Sequence, residues 1–197
     1  MISALNIAFV TKQFLLIKKN LHTMRIKQTF SQSDANCFQK YCLSPSDEKI
    51  IITCMTKALS RLPYEPYYCV HLNAILWQEL KNSSSFPVYL IAGCLEINNQ
   101  RIFGNDNTNY VETFSKSQQF DGHCWIAVGG ERIIEISLFR TLDNIPQLSK
   151  TKSYIERINQ GSLPGAMMNL ESYFLCKFMN YIPKYILSEK EINNLVP

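Results

Sequence analysis

Hydrophobic positions recur along this chain with two different periods. The segment Ser44-Pro45-Ser46-Asp47-Glu48 reads as a helix start: a serine to cap the first turn, a proline inside it, and acids that favour the helix dipole. That helix is predicted to run to about Leu62, before Pro63 and Pro66 bracket a short loop. A second helix is predicted from about Tyr68, over CVHLNAILWQELKNS, because Cys69, Leu72, Leu76 and Leu80 line one face. After Pro87 the period changes. VYLIAGCLEI is β-rich and largely apolar, and with NNQ and RIF it predicts a hairpin of two strands. Residues 104–121 are polar and aperiodic, a length of loop that in a compact domain usually covers a site. HCWIAV and RIIEISLF predict a second hairpin turned by Gly129 and Gly130. The C-terminal third predicts a loop over 161–165 and a helix from Ala166 to Tyr181, stopped before Pro183. Helices followed by antiparallel strands make an α+β fold, with the N-terminal helices packed on the sheet.

The first residues change this picture only in charge. Leu5, Phe9, Ile17 and Leu21 form one helical stripe interrupted by Gln13, which predicts an amphipathic helix against the body. The run is broken by Lys12 and lacks a charged leader and a small-residue cleavage site, so neither a secretory signal nor stable membrane insertion is expected. The formal charge is +4, but residues 1–45 carry six basic side chains against the single acid Asp34. The basicity therefore belongs to an extension over 1–45, helical or partly disordered, and residues 46–197 form one nearly neutral domain. A nucleic-acid partner would need basic clusters interleaved with aromatics on that domain, and none is expected. Apolar residues make up 46% and charged ones 18%, which suits a globular core rather than a disordered chain. Seven scattered cysteines without a CxxC pair fit a reducing, cytoplasmic setting. Oligomeric state stays open.

One constellation carries chemistry. Cys69 opens a helix, His123 opens a strand, and Glu135 lies in the next strand. A thiol becomes a good nucleophile as thiolate, and a helix N-terminus offers partial positive charge and free N–H groups that favour it. Those N–H groups can also serve an oxyanion. An imidazole completes the activation, and a carboxylate fixes its tautomer. A three-residue loop Gly129-Gly130-Glu131 sets Val128 opposite Arg132, so His123, Trp125, Glu135 and Ser137 share a face with Glu135 diagonal to the histidine. A two-residue loop would turn Glu135 away, leaving Ser137 or Asp121 to orient the ring. A zinc site from Cys69, His71, His123 and Cys124 is disfavoured, since only two of the four could meet.

Tyr-Tyr-Cys69-Val-His-Leu-Asn-Ala-Ile-Leu, the strand Phe-Pro87-Val-Tyr-Leu-Ile-Ala-Gly93, and Gly122-His123-Cys-Trp125-Ile-Ala-Val together resemble the transglutaminase-like branch of the papain-like cysteine hydrolases and acyltransferases. The resemblance spans about residues 65–140 and implies a papain-like fold with Cys69 as nucleophile, His123 as base and Glu135 as orienting acid. That family usually has Asp followed by a Pro-Thr pair where this chain reads Glu135-Ile136-Ser137, and the extra methylene changes the reach. The expected activity is attack on an amide, peptide or other acyl substrate through a thioester, resolved by water or by an acceptor. The alternative is a non-catalytic binding module that retains the fold. No cofactor is implied. Tyr67, Tyr68 and Trp125 are the expected substrate walls, with the 104–121 loop as cover.

Overall fold

The computed structural model describes residues 21–66, 68–115, 120–159 and 164–196; most of the Leu5-to-Leu21 stripe, and Tyr67, lie outside these. A first helix, α1, occupies residues 21–29 and is followed by α2 (Gln32–Lys40), α3 (Pro45–Arg61) and α4 (Cys69–Ser83). The start of α3 is the expected one: Ser44 Oγ accepts from the Asp47 N–H at 3.2 Å while the Asp47 carboxylate accepts from the Ser44 N–H at 2.8 Å. The strands that follow are β1 (Val88–Ile97) and β2 (Gln100–Phe103), then β3 (His123–Val128) and β4 (Arg132–Glu135). Between the two pairs lies α5 (Tyr110–Ser115), so the stretch expected as a structureless loop carries a helical turn of its own.

Six strands form one antiparallel sheet, ordered β2-β1-β3-β4-β5, with β6 also paired to β1. Here β5 is Met167–Leu170 and β6 is Met179–Ile186, separated by α8 (Glu171–Cys176). The long β1 organises the rest. β3 pairs along Val88–Gly93, β2 along Leu95–Ile97, and β6 along Ile91–Ile97. Because β6 overlaps both of the others, β2 and β3 must share the opposite edge in tandem, and β2 ends at Phe103 near where β3 begins at His123. Gly93 marks that junction. A methyl group there would lie 2.1 Å from the Ile182 carbonyl oxygen and 2.8 Å from the Trp125 ring, so only glycine fits.

Alternation along the strands divides the core in two. Leu90, Ala92, Cys124 and Ile126 face α3 and α4, where Leu72, Leu76 and Leu80 are fully buried. Ile91, Leu95, Trp125 and Ala127 face the other layer, with Ile26 of α1, Phe38 of α2, and residues of α6 (Leu138–Asp143) and α7 (Ser149–Ile158). A 3₁₀ turn (Pro146–Leu148) joins the latter two helices, and α9 (Glu189–Asn193) ends the described chain.

Two expectations are corrected. RIIEISLF is not one strand: it breaks after Glu135 and becomes α6. The C-terminal helix expected over Ala166–Tyr181 is instead the β5-α8-β6 unit, and Pro183 sits inside β6 opposite Gly93, where the register shifts and its missing N–H is tolerated. Of the extension expected over 1–45, the described part carries the helices α1 and α2 and buries His22, Ile26, Ala35 and Phe38.

Candidate active site

Cys69 is the first residue of α4, and Tyr68 before it provides no side-chain cap. The first-turn N–H groups beside the thiol are therefore left without a capping side chain. Two polar side chains fix this helix end. Buried Arg140 of α6 donates to the carbonyls of Leu59 (2.5 Å), Leu62 (3.1 Å) and Pro63 (2.7 Å), holding the end of α3 and the loop that leads to Cys69. Asn73, one turn into α4 and fully buried, donates from Nδ2 to the carbonyls of Cys69 (2.8 Å) and Cys124 (2.9 Å), tying α4 to β3.

His123 opens β3 and is 1% exposed. Its ring stacks on Phe103, with centroids 5.2 Å apart and planes 20° from parallel. The hairpin that follows has the three-residue loop, with Val128 paired to Arg132 and Ile126 to Ile134. Gly130 and Glu131 adopt positive φ there, 75° and 62°. Continuing that register places Glu135 diagonal to His123, and Glu135 Oε2 lies 2.5 Å from His123 Nε2. The other carboxylate oxygen, Oε1, accepts from the Ser137 N–H (2.8 Å), the Ser137 hydroxyl (2.9 Å) and the Leu138 N–H (3.0 Å). One carboxylate thus anchors the imidazole and turns the chain into α6. With Nε2 committed to Glu135, Nδ1 is the ring nitrogen left to face Cys69, whose thiol is electrostatically linked to both the His123 ring and the Cys124 thiol.

These contacts set the charges. Hydrogen bonding with Cys124 is the largest influence on Cys69, and with the His123 hydrogen bond and charge it outweighs burial, lowering the thiol to about 5. For His123, burial opposes protonation, but the Glu135 charge and the contact with Cys69 prevail and push it up to about 10. Glu135 is fully buried, which works against ionisation; the His123 charge and hydrogen bonds nonetheless hold it below the ordinary carboxylate value. Burial, and then the contact with Cys69, raises Cys124 well above a normal thiol. At neutral pH the site holds a Cys69 thiolate against a His123 imidazolium, with Glu135 ionised behind it.

Cys69 and His123 open onto a cavity of about 740 Å³ whose apolar walls include Val70, Phe103, Phe114, Phe120 and Leu195. Phe114 stacks on Tyr185 at 5.8 Å and 10°, which stiffens that wall. Residues 104–115 and 120–121 border the cavity through Thr113, Phe114, Phe120 and Asp121.

Of the expected site residues, Cys69, His123 and Glu135 are brought together. Ser137 supports Glu135 rather than the ring, and Asp121 is exposed and engaged by Asn105 Nδ2. Trp125 is a correction: it is fully buried in the second core layer, donating from Nε1 to His22 Nε2 at 3.2 Å, and it walls no substrate cavity. Tyr68 is half-buried, its ring 6.0 Å from that of His71, and it is not a cavity wall. His71 is exposed but reaches the cavity mouth. Among the described residues no cluster of three or more His, Cys, Asp or Glu side chains could hold a metal ion, and no helix is long and apolar enough to cross a membrane. Sequence reasoning missed Asn73, Phe103 and Arg140. Asn73 alone had a readable signal, as an amide one turn from Cys69 in an apolar helix face. Compared with protein-family models, curated proteins and solved structures, the chain finds no match, so its fold stands as α+β with an antiparallel six-stranded sheet.

Proposed function

We propose that this chain is a thiol hydrolase or acyltransferase of papain-like, transglutaminase-like type, acting on an amide, peptide or other acyl substrate. The observation that carries the reading is the alignment of Cys69, His123 and Glu135, with the acid 2.5 Å from the imidazole and the thiol at an uncapped helix start. The Cys69 thiolate attacks the substrate carbonyl, and first-turn N–H groups of α4 receive the developing oxyanion. His123, already protonated, gives its proton to the leaving group, and the thioester forms. Its Nδ1 then takes a proton from water or from an acceptor as that group attacks the thioester and frees Cys69. Glu135 keeps Nε2–H in place through both halves and stabilises the positive ring.

The cavity narrows the substrate. Its aromatic walls suit an apolar acyl group, and Asp121 at the rim disfavours one that carries a carboxylate. The test is a pre-steady-state assay with uncharged aryl esters of increasing acyl length. A burst of one arylate per chain, together with an acyl adduct on Cys69 by peptide mass spectrometry, is expected; a Cys69→Ala variant that releases arylate as fast as the native protein overturns the reading.

A further inference from the structure

Cys124 lies beside the nucleophile without a part in the chemistry above. Its thiol is fully buried, and Asn73 ties the two residues together by donating from Nδ2 to the backbone carbonyls of both, at 2.8 Å to Cys69 and 2.9 Å to Cys124, while the two thiols interact with each other. The two sulfurs differ in access. Cys69 is half-buried and faces the cavity, whereas Cys124 is fully buried and does not line it. A thiolate open to solvent next to a sheltered thiol is the arrangement of an oxidisable cysteine with its resolving partner.

We propose that Cys69 and Cys124 form an oxidative modification site that a hydroperoxide converts to a disulfide. The Cys69 sulfur attacks one peroxide oxygen; the S–O bond forms, the O–O bond breaks, and the departing oxygen takes a proton to leave as an alcohol, or as water from hydrogen peroxide. Cys69 is then a sulfenic acid. The Cys124 sulfur attacks it, the S–S bond forms, the S–O bond breaks, and hydroxide leaves as water with the Cys124 proton. Two thiols lose two electrons and the peroxide gains them. The disulfide removes the Cys69 thiol from the cavity and keeps it from irreversible oxidation. This step needs no acyl substrate, so it stands or falls separately from the proposed reaction.

Peptide mapping under non-reducing conditions tests it, on the full chain exposed to stepwise hydrogen peroxide at neutral pH. The expected product is a Cys69–Cys124 cross-linked peptide that forms before the exposed Cys37, Cys42 and Cys176 are modified, and dithiothreitol returns both thiols. In Cys124→Ala, the same exposure leaves Cys69 as a sulfinic acid that dithiothreitol does not recover. Sulfinic acid on Cys69 of the native protein without the cross-link overturns the proposal, as does oxidation of Cys69 no faster than of the three exposed cysteines. Should Cys124→Ala fail to fold, the native peptide map decides alone.

Discussion

Glu135 Oε2 sits 2.5 Å from His123 Nε2, across a hairpin whose three-residue loop sets the two residues on a diagonal of one sheet face. The glutamate stem does not overshoot, because the backbone turns immediately after it and Oε1 is held by Ser137 and Leu138. The carboxylate is therefore needed twice, for the ring and for the start of α6. Glu135→Gln keeps the shape but removes the charge that favours the imidazolium. We expect acyl transfer, or alkylation of Cys69 by iodoacetamide near pH 6, to slow by about 10²–10⁴-fold. Glu135→Asp shortens the arm and is expected to slow it as well, measured in the same alkylation assay.

The thiolate and imidazolium predict a distinctive pH profile. Alkylation of Cys69 should rise with a midpoint near 5, far below the ordinary thiol value of 9.0, and in His123→Ala that midpoint should move up toward 9.0. An unchanged midpoint in His123→Ala would contradict the pairing.

Stability follows from the same two groups with opposite signs. Cys69 is depressed on folding, so its contribution is complete above about 9 and is lost as pH falls toward 5. His123 is raised, so its contribution is complete below about 6.5 and is lost as pH rises toward 10. Between about 6.5 and 9 the folded pair and the unfolded pair bind one proton each, and the slopes cancel. The difference in Tm between the native protein and Cys69→Ala/His123→Ala should be flat over that window and shrink on either side, which calorimetry across pH can check.

Asn73→Ala removes the side chain that joins the Cys69 and Cys124 carbonyls from a fully buried position. We expect a loss of about 1–3 kcal/mol in urea unfolding. Alkylation of Cys69 should slow too, because the helix start loses its tie to β3.

Gly93→Ala sets a methyl group against the Ile182 carbonyl at 2.1 Å, at the residue that pairs with His123. Backbone rather than a flexible side-chain tip receives the clash, so the cost should be about 3 kcal/mol or more, read from the unfolding midpoint.

Trp125→Phe distinguishes a core role from a substrate role. The indole N–H to His22 is lost inside a packed layer, and a drop of about 1–3 kcal/mol in stability is expected. KM for any acyl substrate should stay within about twofold, since the ring does not border the cavity.

The parts of the fold that were legible in the sequence are those fixed by neighbours in the chain. The Ser44–Asp47 box, the Cys69–Ser83 helix, and the hairpin turn at Gly129 and Gly130 each depend on a few consecutive residues, whereas the choice between a two- and a three-residue loop is fixed by the strand pairing. Ile136 to Phe139 misled because a short apolar run serves strand and helix equally, and the deciding contact is the Glu135 carboxylate turning back on Ser137. Met167 to Ile186 misled because β6 exists through its pairing with β1, far away in sequence, and the bulge at Gly93 admits Pro183. At the site, Cys69 and His123 could be read from element starts, while hairpin arithmetic left Glu135, Ser137 and Asp121 as alternatives for the group beside the ring. Trp125 could not, because what buries it is His22, 103 residues away, together with the α1 and α8 layer.

Helix α6 begins on the turn that Glu135 holds and, through Arg140, grips the stretch that delivers Cys69. The acid that aims the ring and the strut that seats the sulfur are thus rigidly joined through one short rod. A ligand or substitution that tilts this rod displaces donor and acceptor in concert, so the spacing between sulfur and imidazole tolerates such a tilt better than it would if each had its own support.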